Sequence, residues 1–350
     1  MDEIAFGSNY YQSVIESYHY TDLGISEINF SLGGLSQEAL RTKWICHHNA
    51  YEFAERLAQG EPSIVCTGIG LSGVPHLGTI SQIIRATELQ RGGIPVQLVL
   101  GDLDAYNGKN QTLQATQELQ GKYASFITKI GFDMTPPSVL RDQYSALEVL
   151  RTSYLISKYM DHSMFQEAEE DLHEFYAQRG KVDSGMSYRR MQSLTLMTAD
   201  FIHNITQCGT ENVLVMLGID EHKYILFAEK TLKHMQHAGT APDSASLASM
   251  YSPIIKGLYG YPKMSKSFPE SGISADLSPA EIIRRIMEGE GDTRLPEDNP
   301  VFQMICGTTP YGRKELEEVY YECANRTDKW NQIKQDYAVY LISLLSNWEQ

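Results

Sequence analysis

"SIVCTGIG" at residues 63–70, "GVPHLGTISQIIRATELQRGG" at 73–93 and "IPVQLVLGDLDAY" at 94–106 decide the fold between them. The first is a short β-branched run that ends in glycines. The second places Leu77, Ile80 and Ile84 on one helical face and stops at Gly92 and Gly93. The third has the texture of a buried strand and ends in carboxylates. Strand, glycine turn, helix and strand make a βαβ unit, which requires a parallel sheet with helices on its faces. "NVLVMLGIDEHKYILFAEKTLKHM" at 212–235 repeats the same logic with an acid at the turn. The expected class is α/β, a Rossmann-like parallel sheet with helices on both faces, plus a helical C-terminal domain.

Outward from this unit, "SQEALRTKWICHHNAYEFAERLAQG" at 36–60 reads as a helix capped by Ser36 and stopped by Gly60, so residues 1–60 are expected to form an N-terminal helical extension. Cys46, His47 and His48 are metal-ligand types, but adjacent side chains on a helix diverge, and a helix face is expected there. The Rossmann-like domain is expected over 61–275, with a polar helical insertion at about 110–190 whose "EAEEDLHEFY" is a solvated face. "MQSLTLMTADFIHNI" at 191–205 is an apolar helix carrying one acid, Asp200. "LSPAEIIRRIMEGE" opens a short helical C-terminal domain over 276–350, with Ser278 as cap and Pro279 at the first helical position.

With 350 residues, 42% apolar and 21% charged, the chain can bury a sizeable core. Its five cysteines show no C-x-x-C pair, which indicates neither a disulfide framework nor a zinc ribbon. No apolar run approaches membrane-spanning length, and "MDEIAFGSNYYQS" has no basic-then-apolar leader, so a cytoplasmic setting is expected. A formal net charge of −15 argues against a general nucleic-acid coat, because phosphate affinity comes from lysine and arginine. It leaves room for a nucleic-acid partner held at one basic patch, such as "YRR" at 188–190, "IIRR" at 282–285 or "GRK" at 312–314.

In open α/β sheets ligands sit beyond the carboxyl ends of the strands. Three turns there carry polar chemistry: "TGIGLSGVPHLGT", "LGDLDAYNG" and "MLGIDEHK". Gly68, Gly70 and Gly73 allow close backbone approach, while His76 and Gly78 begin a helix whose amino-terminal dipole favours phosphate. "KMSKS" at 263–267 puts two ammonium groups and two hydroxyls beside a Gly/Pro-rich turn. That composition suits a loop closing on a polyphosphate, since ammonium groups meet phosphate oxygens as point charges.

"HLGT" followed roughly 185 residues later by "KMSKS" resembles the paired motifs of class I aminoacyl-tRNA synthetases. "LVLGDLDAYNGK", "LGIDEHKYILFAEKTL" and "SPIIKGLYGYPKMSKS" are similar to segments of the tyrosyl and tryptophanyl subgroup, and the resemblance runs from about residue 60 to 350. It implies activation of an amino acid by ATP with Mg²⁺, then transfer to tRNA. By this resemblance His76 stabilises the phosphates, Gly78 packs under adenine, and Thr79 stands where the family's last histidine usually is. Gly68 and Gly70 belong to the ATP cradle, Gly218 and Asp220 to the ribose site. Lys263 and Lys266 clamp the β- and γ-phosphates, with Met264, Ser265 and Ser267 completing the loop. No dedicated metal cage is expected, because Mg²⁺ on a polyphosphate needs few protein ligands.

The amino-acid pocket implied by the resemblance contains Val65, Asp102, Ser193, Met197 and Asp200. Asp200 corresponds to the acid that meets the polar tip of an aromatic side chain. Tyrosyl enzymes usually add a tyrosine where this chain has Val65, and a tyrosine and a glutamine where it has Ser193 and Met197. "LMTAD" resembles the bacterial tryptophanyl pattern, so tryptophan is favoured over tyrosine, with a non-standard aromatic amino acid as a further option. The resemblance also implies a homodimer joined through the 110–190 region. Contact with tRNA is expected at Arg189, Arg190, Arg284 and Arg285. Two other readings stand beside it: a paralogue that adenylates an amino acid and transfers it to another acceptor, and a silent tRNA- or amino-acid-binding module. Intact lysines in "KMSKS" argue against the silent module. A nucleotidylyltransferase shares the histidine turn but not that loop.

Overall fold

Seven strands form one sheet in the computed structural model, which describes residues 8–24, 28–108, 111–169, 185–266, 268–293 and 295–348. They are β1 (Thr21–Asp22), β2 (Cys46–His48), β3 (Ser63–Gly70), β4 (Val96–Gly101), β5 (Val139–Asp142), β6 (Asn212–Gly218) and β7 (Ser246–Ser252). The spatial order is β1-β2-β7-β6-β3-β4-β5. The five strands from β7 to β5 are parallel, and β1 and β2 add an antiparallel edge. From β3 the chain moves out through β4 to β5 on one side, then returns to lay β6 and β7 on the other. That reversal creates a crevice between β3 and its neighbours at their carboxyl ends.

The inner parallel strands β3, β4, β6 and β7 are buried on both faces, as parallel strands between helices must be. Val65 and Ile69 of β3, with Leu214 and Met216 of β6, join one apolar cluster, while Ile64, Cys66, Val213, Val215 and Leu217 join another on the opposite face. The first cluster runs without a break from the sheet into the C-terminal helices, through Leu316, Trp330, Leu341, Leu345 and Trp348. The expected helical tail is present as Pro279–Glu288, Pro300–Thr308, Arg313–Asn325 and Asp328–Leu345, and Ser278 caps the first of these through the amide of Glu281.

Two expectations are corrected. The 36–60 stretch is not one helix: Ser36 caps a short helix, Gln37–Lys43, which stops at Trp44, and a second follows at Ala50–Ala58. Between them Cys46, His47 and His48 pair with Tyr251, Met250 and Ser249 of β7, so "CHH" is an edge strand rather than a helix face. The 110–190 insertion is likewise interrupted, by β5, whose Val139–Asp142 pairs with Gln97–Leu100 of β4. In both places a strand of three or four residues exists because an existing sheet edge supplies its partners, a cause that no local periodicity carries. The acidic stretch from residue 170 to 176 lies outside the described residues.

Candidate active site

The crevice is built from the glycine turn upward. β3 ends at Gly70, and the chain enters the Leu77–Arg91 helix through His76, whose extended backbone makes it the N-cap. The His76 Nδ1 accepts a hydrogen bond from the Gly78 amide at 3.1 Å. A Cβ at residue 78 would lie 2.9 Å from His76 Cε1, so only glycine lets the imidazole fold back onto the helix start. With Nδ1 accepting, the proton of the neutral ring resides on Nε2. Burial first, then the nearby charges of Lys266 and Lys263, push the His76 pKa down to about 3. His76 therefore stays neutral at physiological pH and offers an N–H donor. Thr79 follows as the third residue of the helix, half-buried.

The lysine loop is fastened to this same helix start. Leu77 N–H donates to the Ile273 carbonyl and Ala275 N–H to the Pro75 carbonyl, each at 3.0 Å, so a backbone ladder ties the histidine turn to the segment just after "KMSKS". Met264 is buried, and its amide donates to the Ile255 carbonyl at 3.2 Å, while the Ser265 amide donates to Ser271 Oγ at 2.9 Å. From this base Lys263 Nζ reaches Asp220 Oδ2 at 2.6 Å, and Lys266 Nζ donates to the Gly70 carbonyl at 2.7 Å and to the Tyr123 hydroxyl at 3.0 Å. A Cβ at residue 218 would stand 2.6 Å from Asp220 Oδ1, so Gly218 lets Asp220 curl over the end of β6. His76, Gly70, Gly218, Asp220, Lys263 and Lys266, drawn from three distant stretches of chain, thus converge. Ser267 lies outside the described residues.

A cavity opens between the carboxyl ends of β3, β4 and β6 and the Tyr188–Gln207 helix, lined by Gly68, Gly70, Ser193, Met197 and Asp200 among others. Asp200 is 2% exposed. Its Oδ2 accepts from Gln143 Nε2 at 2.9 Å, whereas its Oδ1 has no hydrogen-bond partner among the described residues. Burial pushes its pKa up to about 7; the Gln143 hydrogen bond and the Arg141 charge oppose this, and the carboxylates of Asp102 and Asp104 add to it. Ser193 Oγ also has no partner. Ser193 lies seven positions before Asp200, about two helical turns or ~10 Å along the same helix.

Val65 and Asp102 are not among the residues lining the cavity. Val65 lies fully buried in the core, and Thr67, on the same face of β3, lines the wall instead. Thr67 Oγ1 is committed, donating to the Met216 carbonyl at 2.6 Å and accepting from Gln82 Nε2 at 2.7 Å. The Asp102 carboxylate accepts the amides of Leu103, Gln143 and Tyr144, which fixes the turn after β4, and it is Asp104 that faces the cavity. Sequence reasoning did not single out Asp104, Gln143 or Tyr224.

Of the four arginines expected to meet tRNA, the side chains of three make internal contacts. Arg190 lines the cavity and donates to the Tyr224 hydroxyl at 3.1 Å. Arg284 pairs with Glu281 and Glu288. Arg285 pairs with Glu281 and donates to the Pro269 and Gly272 carbonyls, bracing the lysine loop. Asn107 holds the backbone carbonyl of Arg189. Among the described residues no helix is long and apolar enough to cross a membrane.

Residues 58–346 match the model of the family described as tRNA synthetases class I (W and Y). A tryptophan–tRNA ligase of Methanocaldococcus jannaschii is 23% identical over 321 residues, which cover 86% of this chain and 82% of that protein. A tyrosine–tRNA ligase of Methanopyrus kandleri is 25% identical over 261 residues, 72% of each. The crystal structure of the tryptophanyl-tRNA synthetase of Aeropyrum pernix shares the fold, with a TM-score of 0.79 at 19% identity over 97% of this chain and 92% of that one. A family match that spans the five parallel strands, the lysine loop and the helical tail leaves no part of the crevice outside it: the chain belongs to the class I tRNA synthetases of the tryptophan and tyrosine kind, a family of ATP-dependent aminoacyl-tRNA ligases.

Proposed function

We propose that the protein activates an aromatic amino acid, tryptophan in preference to tyrosine, with ATP to an aminoacyl-adenylate and transfers it to the 3′ end of a tRNA. The observation that carries this is the meeting of Lys263, Lys266 and neutral His76 beside the glycine turn, where Lys266 Nζ holds the carbonyl of Gly70, a residue that lines the cavity together with Asp200. Adenylate formation places charge on a pentacovalent phosphorus and on departing pyrophosphate, so preorganised cations and donors supply the catalysis, without a covalent nucleophile. His76 Nε2–H donates to a phosphate oxygen, and the two lysines take the pyrophosphate end. Asp220 and the glycine at 218 receive the ribose. Mg²⁺ would come with the polyphosphate, where it needs few protein ligands.

The tryptophan preference rests on hydrogen-bond supply at the deep end. An indole N–H needs one acceptor, and Asp200 Oδ1 is unclaimed. A phenol hydroxyl both donates and accepts, so it asks for a donor beside the acceptor; Thr67 Oγ1 is committed to the Met216 carbonyl and one Gln143 Nε2 proton to Asp200 Oδ2, whereas an indole asks for the acceptor alone. ATP–pyrophosphate exchange measured across the amino acids tests the reading, and tryptophan is expected to give the highest rate. Activation of tyrosine well above tryptophan overturns the pocket assignment, and no exchange with any amino acid overturns the activity.

A second acceptor reading has specific support: a net charge of −15, with Arg190, Arg284 and Arg285 drawn into internal contacts, leaves little basic surface for a polyanion. Charging of total tRNA with the activated amino acid decides between tRNA and another acceptor. The proposal places the protein in the cytoplasm, with an anticodon-binding role for the helices after residue 276. It also makes the protein a homodimer, supported by the exposed Leu147, Tyr154, Leu155 and Tyr188 in and beside the 110–190 region. Sedimentation at micromolar concentration is expected to show twice the chain mass, and a monomer refutes the dimer.

A further inference from the structure

Tyr123, on the Leu113–Lys129 helix, is a fully buried ring whose hydroxyl emerges at the glycine turn. The hydroxyl donates to the Gly73 carbonyl at 2.9 Å and accepts from Lys266 Nζ at 3.0 Å. The ammonium also lies 5.5 Å from the Tyr123 ring centroid, within cation–π range. Gly73 has a φ of +152°, a backbone conformation that favours glycine, and a Cβ there would lie in ordinary contact with Lys266 Cδ, at 3.9 Å. Burial raises the phenol's pKa, so it keeps the proton that Gly73 receives and turns its lone pair to the lysine. On the ring's far side the indole of Trp348, three residues past the Asp328–Leu345 helix, packs edge-on at 5.1 Å and 77°, and meets Phe126 in the same manner at 5.6 Å.

We propose that Tyr123 is a positioning residue that seats Lys266 over the glycine turn, and that Trp348 holds Tyr123 in place, so the last turn of the C-terminal tail sets the geometry of the phosphate-clamping lysine. A lysine carries several rotatable bonds, and an ammonium fixed before ATP arrives gives up that freedom in advance of the chemical step. The effect therefore falls on the rate of adenylate formation and little on ATP binding.

This rests on Lys266 acting on pyrophosphate, and the test separates the two. Tyr123→Phe keeps the ring and its contact with Trp348 while removing the hydroxyl. It is expected to lower kcat for ATP–pyrophosphate exchange roughly tenfold, as for loss of one hydrogen bond to a charged group, with the ATP KM within about twofold. Trp348→Leu is expected to lower kcat in the same direction by a smaller factor. In a Lys266→Ala background both substitutions should have no further effect, because a residue that works through Lys266 has nothing left to position. If Lys266→Ala alone leaves exchange unchanged, the catalytic reading of the lysine fails. If Lys266→Ala slows exchange but Tyr123→Phe is neutral, faster, or equally damaging in both backgrounds, the positioning role fails. Trp348→Leu without effect beside a slowed Tyr123→Phe removes the tail from the proposal. Matching thermal melts for the single variants exclude a simple loss of fold as the cause.

Discussion

Lys266→Ala slows amino-acid-dependent ATP–pyrophosphate exchange by about 10²–10³-fold, the size of effect seen when one preorganised oxyanion donor is removed. The amino acid's own Kd stays within about twofold. The asymmetry follows from position. Lys266 Nζ stands at the Gly70 carbonyl beyond β3, while Asp200 sits on the Tyr188–Gln207 helix with its carboxyl on Gln143. Pyrophosphate gains charge only as the phosphorus–oxygen bond breaks, so a cation there contributes chiefly in the transition state. Lys263, joined to Asp220, differs in kind: its removal also frees the acid proposed to hold the ribose, and the ATP KM should shift along with kcat. Stopped-flow adenylate formation with equilibrium dialysis of the amino acid measures both quantities. An exchange rate in Lys266→Ala equal to that of the unmodified protein sinks the assignment.

Substituting Asp200 gives opposite changes in recognition and stability. Asp200→Ala is expected to lower kcat/KM for the cognate amino acid by 100-fold or more, on the order of 3 kcal/mol, because a donor N–H is left unpaired in a buried site. Phenylalanine, which has no such donor, should be nearly unaffected. The carboxyl's pKa of about 7 adds a pH dependence. A ligand N–H favours the carboxylate, so binding lowers that pKa and releases a proton, and affinity rises with pH through about 7 before levelling off.

Stability runs the other way. An unfolded aspartate titrates near 3.8 and the folded one near 7, so the folded state holds the extra proton. The burden is absent below the unfolded value, grows as pH rises between the two, and is complete above the folded one. Asp200→Asn should therefore melt higher than the unmodified protein at pH 8, by roughly 2–4 kcal/mol at most, and the difference should close near pH 4. Equal melts at both pH values would show that the acid is not held neutral by burial.

The parts of this molecule that could be read from sequence are those whose causes are local. β3, the glycine turn and its helix carry their own punctuation in Gly68, Gly70, His76 and Gly92, and Ser278–Pro279 marks the start of the tail. The lysine loop was legible because its residues have few other uses in that combination. The edge strands were not, since Cys46–His48 and Val139–Asp142 become strands only through partners far along the chain. That omission carried into the site: Gln143, which fixes both Asp200 and the amide of Asp104, follows the unseen β5 directly. Thr67 rather than Val65 faces the cavity because two residues advance a strand by about 6.6 Å, enough to pass from the core to the crevice on the same face. Asp102 and Asp104 differ for a similar reason, one turned back to cap its own loop and the other outward.

The two short strands at the sheet's margin have one more consequence. β7 is the last parallel strand on its side, and without Cys46–His48 the backbone groups of Ser249, Met250 and Tyr251 would form an open row of donors and acceptors along "SLASMYS". Such a row templates pairing with another chain. By closing it with a three-residue strand, itself covered by the two-residue β1, the chain leaves little exposed edge for growth on this side of the sheet. The N-terminal stretch thereby acts as a guard against association into extended sheets, a service to solubility that asks nothing of the catalytic residues.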